Sequence, residues 1–189
     1  MKKILIPIMT VLLSVMIIAI LPTEAEAGIY ADTIRIHILA NSDEKYDQEL
    51  KLHVRDRLLS EYSNIFDTCR EIRDAENTLK DALYDIESDV NTWIADYGYT
   101  ATAELEVEWF DTRYYDGFSL PAGYYLSLII SIGEAKGQNW WCVMYPPMCL
   151  DSATKIEAEY SDAEKNLILG KYTVKFKILE LISKSIGKK

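Results

Sequence analysis

The side chains best suited to covalent or metal chemistry in this chain are three cysteines, Cys69, Cys142 and Cys149, and two histidines, His37 and His53. A thiol becomes a nucleophile when a neighbouring base takes its proton. Cys142 with His37 could make such a pair, which would suit a thiol-dependent hydrolase, although nothing in their spacing demands it. Cys142 and Cys149 offer a second chemistry. They flank Pro146-Pro147 and lie seven positions apart, where a loop could bring their Cα atoms within disulfide range. A bridge and a free pair both stand at this point. Cys69 falls within an amphipathic helical pattern and reads as a small buried hydrophobe. Zinc is not expected, because there is no C-x-x-C pair and both histidines lie far from the cysteines in sequence.

Glu104, Glu106 and Glu108 alternate, which places them together on one strand face, and a solvated face is the ordinary meaning of that pattern. The chain has no P-loop, no G-x-S-x-G, no H-E-x-x-H and no G-x-G-x-x-G. Neither a catalytic constellation nor a cofactor or metal site is expected. The formal charge of −10, from 20 basic and 30 acidic side chains, argues against nucleic acid and anionic lipid as partners, since the field of the chain repels phosphate. Against that background Lys51 and Arg55 stand one helical turn apart as a basic strip beside Asp56. Solvated charges with local pairing are one reading, and a contact with a polar or acidic partner is the other.

Elements that would position these residues follow from periodicity. Lys2 and Lys3, the apolar run from Ile4 to Leu21 and the triplet Ala25-Glu26-Ala27 have the three parts of an export signal. Residues 1–27 are therefore expected to be a cleaved signal peptide or an uncleaved anchor, and residues 28–189 one domain. Thr33 to Leu39 alternates as a strand, with Ile34, Ile36 and Ile38 on one face and Arg35, His37 and Leu39 on the other. Ala40-Asn41-Ser42-Asp43 breaks the strand and supplies oxygens to cap a following helix. That helix spans about Asp47 to Tyr62, with Leu50, Val54, Leu58 and Tyr62 as its apolar stripe, widened by Leu52 and Leu59. A second runs from about Asp67 to Ala95 and ends at Gly98. Tyr99 to Phe110 is a strand, and Thr112 to Ser119 a turn-rich aromatic link.

Tyr124 to Ile132 and Trp140 to Tyr145 read as two strands of one hairpin, with the turn bounded by Gly133 and Gly137 and the second strand stopped by Pro146-Pro147. Adjacent Trp140 and Trp141 must face opposite ways. One of them therefore needs either a second layer of the domain or a partner protein. Asp151 to Glu164 reads as a loop or short helix, and Lys171 to Lys184 as a helix or strand. The fold expected is α+β, a single domain with a mostly antiparallel sheet and two long helices packed on one face.

The segments Ile36-His37-Ile38-Leu39-Ala40-Asn41-Ser42-Asp43, Gln48-x-x-Lys51-x-x-Val54-Arg55-Asp56, Pro121-Ala122-Gly123 and Asn139-Trp140-Trp141-Cys142-Val143-x-x-Pro146-Pro147-x-Cys149 together resemble the stage II sporulation protein R family. Two departures are Ala135, where the family usually has glycine, and Tyr124, where an acidic residue is common. The resemblance implies a protein made in the forespore and exported to the space between the two membranes. There it would switch on the membrane-embedded aspartic protease that cleaves pro-sigma-E, as a non-catalytic ligand with a protein partner rather than a small-molecule substrate. A structural component of the spore is the remaining alternative. The expected contact surface joins the Ala40–Asp43 turn, Lys51, Arg55, Asp56, Asn139, Trp140 or Trp141, and the loop fixed by Pro146 and Pro147. In the opposing reading both tryptophans are core and Arg55 braces the turn through Asp43 or Asp56.

Overall fold

The computed structural model describes residues 2–21, 24–62, 64–115, 118–148 and 162–169. In chain order the elements are α1 (Lys2–Ile20), α2 (Glu24–Ala31), β1 (Ile34–Leu39), α3 (Lys45–Glu61), α4 (Ile72–Trp93), a short 3-10 turn (Ala95–Tyr97), β2 (Ala101–Phe110), β3 (Arg113–Tyr115), β4 (Phe118–Leu120), β5 (Gly123–Ile132), β6 (Asn139–Tyr145) and α5 (Asp162–Leu169). The expectations for Cys149, for residues 151–161 and for Lys171 to Lys184 lie outside the described residues.

Four strands form the main sheet in the order β2-β5-β1-β6. β1 runs parallel to β5 and antiparallel to β6, and β2 runs antiparallel to β5, so antiparallel pairing predominates as expected. The expected hairpin does not form. β5 and β6 are antiparallel in direction, but β1 lies between them and pairs with both. The physical reason is burial: β1 is buried along almost its whole length, so it gains most at the centre of a sheet covered on both faces. The connection over residues 133–138 is long enough to arch over the end of an intervening strand. Alternation tells which face a residue occupies, not which strand lies beside it.

Both long helices pack on one face. Leu50, Val54 and Leu58 of α3 and Ala75, Leu79, Ile86 and Val90 of α4 cover Ile34, Ile36 and Ile38 of β1 with Leu128 and Ile130 of β5. Each fully buried aliphatic side chain of this kind stabilises the fold by roughly 1.5–3 kcal/mol. Leu52 lies outside the stripe and is exposed. The second helix starts at Ile72 rather than near Asp67, because the preceding turn buries Phe66 edge-on to Tyr145, 5.5 Å between centroids. Cys69 sits in that turn, half-buried, with its Sγ 3.5 Å from Thr78 Oγ1.

The opposite face is covered as well. Ile29 of α2, Phe118 and Leu120 of β4 and Ile168 of α5 pack over Phe110, Tyr125 and Val143. What read as a link at Thr112 to Ser119 is the β3–β4 hairpin, a two-stranded sheet of its own. This second layer answers the tryptophan question: Trp140 packs against the helix-side cluster and Trp141 against the other. In α1, apolar side chains such as Ile6, Leu12 and Met16 are exposed. Among the described residues no helix is long and apolar enough to cross a membrane. Ala25-Glu26-Ala27 lies within α2, where Glu26 and Ile29 are buried.

Candidate functional site

At the end of β1 the chain turns through Ala40-Asn41-Ser42-Asp43, and the 133–138 connection crosses directly over it. Close approach requires Gly137, because a Cβ there would collide with the Ser42 carbonyl. The N–H of Gly137 donates to Ala40 O (2.9 Å) and that of Lys136 to Asn41 O (3.1 Å). Side chains complete the junction. Asn41 Oδ1 accepts from the Glu134 N–H (2.9 Å), and Asp43 Oδ1 accepts from the Gln138 N–H (2.7 Å). Lys51 Nζ, buried on α3, donates to Gln138 O (2.8 Å) and to Gln48 Oε1 (2.5 Å).

Beneath the turn lies the buried carboxylate of Asp47. Its Oδ2 accepts from Ser42 Oγ (2.6 Å) and Asn41 Nδ2 (2.8 Å), and these bonds hold its pKa below the ordinary carboxylate value. The expected capping role is corrected here. Glu44 is the N-cap of α3 and makes no side-chain cap; of the turn's side chains only Ser42 reaches the helix start, its Oγ accepting from the Glu44 N–H (3.1 Å), while Asn41 and Asp43 are engaged with Asp47 and the crossing loop.

Beside the junction, Arg55 lies with its guanidinium 5.6 Å from the centroid of Trp140. It also pairs with Asp56, Nε and Nη2 both reaching Oδ1 (2.7 and 2.6 Å). The fold thus brings Ala40, Asn41, Ser42, Asp43, Lys51, Arg55, Asp56, Asn139 and Trp140 to one end of the sheet. Lys51 is consumed by the junction, whereas Asp56 is exposed and Arg55, Asn139 and Trp140 are half-buried. Arg55 braces locally through Asp56 and still meets Trp140, so features of both expected readings coexist.

The remaining expected residues lie elsewhere. Trp141 is on the far face, under Arg113 at 3.9 Å. Pro146 and Pro147 follow the other end of β6, next to Tyr145, which pairs with Ile34. Pro146 lines a cleft of about 220 Å³ with Asp32, Arg70, Glu71, Ile72 and Tyr145. Cys142 is paired with Ile36 and packs into the helix-side core, while the side chain of the next residue on β1, His37, packs against Phe110 and Trp141 on the opposite face. The sheet separates them, so the Cys142–His37 nucleophile is not formed.

Sequence reasoning passed over Arg35 and Glu108. Arg35 is fully buried, and Glu108, on the same face of β2 as Glu104 and Glu106, is half-buried where the second layer covers that face and lies 3.3 Å from His37 Nδ1. A charged residue at an inward position between Ile34 and Ile36 was the available signal. Burial and the Arg35 charge push His37 down to about 4, and burial together with Glu106 pushes Glu108 up. Among the described residues no group of His, Cys, Asp or Glu is arranged to hold a metal.

The family model for stage II sporulation protein R matches residues 30–155. Over 134 residues the chain is 31% identical to the stage II sporulation protein R of Bacillus subtilis (strain 168), a match covering 70% of this chain and 60% of that protein. The matched region therefore spans less than two thirds of that relative's length. No solved structure matches. With its junction and Asn-Trp-Trp-Cys-Val segment inside the matched region, the chain belongs to the stage II sporulation protein R family.

Proposed function

We propose that this chain is an exported sporulation signal that activates the membrane-embedded aspartic protease cleaving pro-sigma-E, and that it does so as a ligand rather than as an enzyme. Family membership over residues 30–155 is the observation that carries the reading. Export from the forespore is supported by the N-terminal sequence pattern, whose apolar helix exposes side chains such as Leu12 and Leu13. The contact surface is Arg55, Asp56, Asn139 and Trp140. Supporting this, the crossing loop is tied to the turn through backbone groups and Lys51, so the surface loses little conformational freedom on docking. Arg and Trp are also the side chains that most often anchor interfaces.

The test is cleavage of pro-sigma-E in a system reconstituted from the protease, its substrate and this chain, with Arg55→Ala, Trp140→Ala and Trp141→Ala compared by circular dichroism for fold. Folded Arg55→Ala and Trp140→Ala variants should lose activation. If both stay folded and fully active, the surface is wrong; if the wild-type chain gives no cleavage, the activator reading itself fails. A bridge between Cys142 and Cys149 belongs to the same reading. In its support, Cys69 is a free thiol among the described residues and Cys142 is not. Mass analysis of the non-reduced, alkylated protein should find one modified cysteine, and three would remove the bridge. The same spectrum shows whether the exported chain begins at Gly28.

A further inference from the structure

On the face away from α3 and α4, Arg35 of β1 is fully buried, and among the described residues no carboxylate pairs with it. Its Nη2 donates to Tyr115 Oη at 2.5 Å, and its guanidinium lies 4.1 Å from the centroid of Phe110 and 5.0 Å from that of Tyr125. Nε and Nη1 are buried and meet no acceptor among the described residues. A second guanidinium, that of Arg113 on β3, stacks on Trp141, and its Nε is likewise buried with no acceptor. The charge of Arg113 acts unfavourably on Arg35. Thr112 Oγ1, one residue before Arg113, is also buried and unpartnered. His37 packs edge-on to Trp141 and makes no hydrogen bond through either ring nitrogen; its carboxylate neighbour is Glu108.

Aromatic rings satisfy the face of a guanidinium but not its in-plane N–H groups. Buried donors without acceptors are rare in folded proteins and call for a cause, and two guanidinium groups near one another without an anion compound the cost. An apolar side chain of similar length would fill the space at position 35 without that penalty. We propose that Arg35, Arg113 and Thr112 form a donor site for a single carboxylate, with Phe110, Tyr125 and Trp141 as its apolar walls. The planar fork of a guanidinium matches a planar carboxylate, and the donors left unmet belong to two such forks and a hydroxyl. The −10 charge of the chain works against a polyphosphate or nucleic acid reaching this face. Arg113, Tyr115 and Trp141 are half-buried and mark the side from which a ligand enters. The carboxylate belongs to a peptide, as its C-terminus or as an acidic side chain.

Thermal unfolding of the full chain tests this at constant ionic strength, with chloride replaced stepwise by acetate and then by N-acetylalanine, by N-acetylaspartic acid with only its α-carboxyl amidated, or by neutral N-acetylalaninamide. Tm should rise with acetate, and with whichever of the two acids carries the correct source of carboxylate, but not with the neutral amide. Folded Arg35→Met and Arg113→Met variants should lose the rise. No rise in the wild-type chain beyond that of the neutral amide, or an equal rise in both variants, overturns the site. Should Arg35→Met fail to fold, the half-buried Arg113→Met decides alone. Protease activation plays no part in this measurement, so its outcome leaves the activator reading untouched.

Discussion

A single methyl group added at Gly137 should break the junction that orients the candidate surface. An alanine Cβ there would fall 2.5 Å from the Ser42 carbonyl carbon and 3.0 Å from Ala40 Cβ, inside the contact distance of the Ser42 carbonyl oxygen as well. The Ser42 atoms are backbone, in a turn held by Gln48 and Asp47, so they cannot swing aside as a side-chain tip would. Restoring ordinary contact means the loop retreats by about 1 Å. That lengthens the bonds from Gly137 N to Ala40 O, Lys136 N to Asn41 O, Gln138 N to Asp43 Oδ1 and Lys51 Nζ to Gln138 O, which now lie between 2.7 and 3.1 Å. With a net contribution of about 0.5–1.5 kcal/mol per bond, losing most of them costs about 2–4 kcal/mol. Gly98→Ala is the control. Gly98 has φ 78° and nothing within 4 Å of a Cβ, so its cost is only that of left-handed backbone, about 1–2 kcal/mol. Urea unfolding of the two variants decides: a Gly137→Ala cost no larger than that of Gly98→Ala refutes the account of the junction.

Ala135→Gly should stabilise by roughly 0.5–1 kcal/mol, because Ala135 holds φ 51° and glycine removes that strain while losing more chain entropy; urea unfolding reads the sign. Asn41→Asp should cost about 2–3 kcal/mol at neutral pH, since it sets a second carboxylate against Asp47 and removes the donor to it, and the deficit should shrink in acid as one proton comes to be shared. His37 is pushed down to about 4 from 6.5, so between those values the unfolded chain binds the extra proton and stability falls as pH drops. The loss is at most about 3 kcal/mol, as Glu108, pushed up by burial, opposes it over part of the window; His37→Gln should flatten the slope in a pH series of urea unfolding curves.

The α+β class, the helix stripes and the opposed faces of Trp140 and Trp141 were legible because periodicity reports burial directly. Leu50, Val54 and Leu58 land on the core side of α3 for that reason alone. Strand neighbours were not legible. Tyr124 to Ile132 and Trp140 to Tyr145 satisfy a hairpin and a three-strand insertion equally well, and the choice depends on β1, some 90 residues upstream. The candidate surface was legible in part: Lys51, Arg55 and the Ala40–Asp43 turn do meet Asn139 and Trp140. Trp141 and Pro146 were drawn into it by sequence proximity, although a strand sends its neighbours to opposite faces and its ends far apart. Gly137 and Asn41 carry the junction through one missing Cβ and one two-way amide, and neither leaves a periodic trace.

Charge placement around β1 bears on selectivity. The chain is acidic overall, yet Arg35, Lys51, Arg55 and Arg113 gather around this strand and its neighbours, three of them stacked on aromatic rings and Lys51 held by a carbonyl. Exposed lysines would attract any anion, whereas cations buried or half-buried within a −10 molecule reward only a partner that brings its acceptor to the right place. The acidic exterior supplies the repulsive half of that discrimination. Raising ionic strength should therefore weaken the repulsion of wrong partners more than it weakens contacts at the proposed surface of Arg55 and Trp140, which are partly shielded from solvent. Under the activator function proposed above, a salt series of pro-sigma-E cleavage checks this: activation that falls steeply with salt would mean that long-range attraction, not fitted contacts, drives recognition.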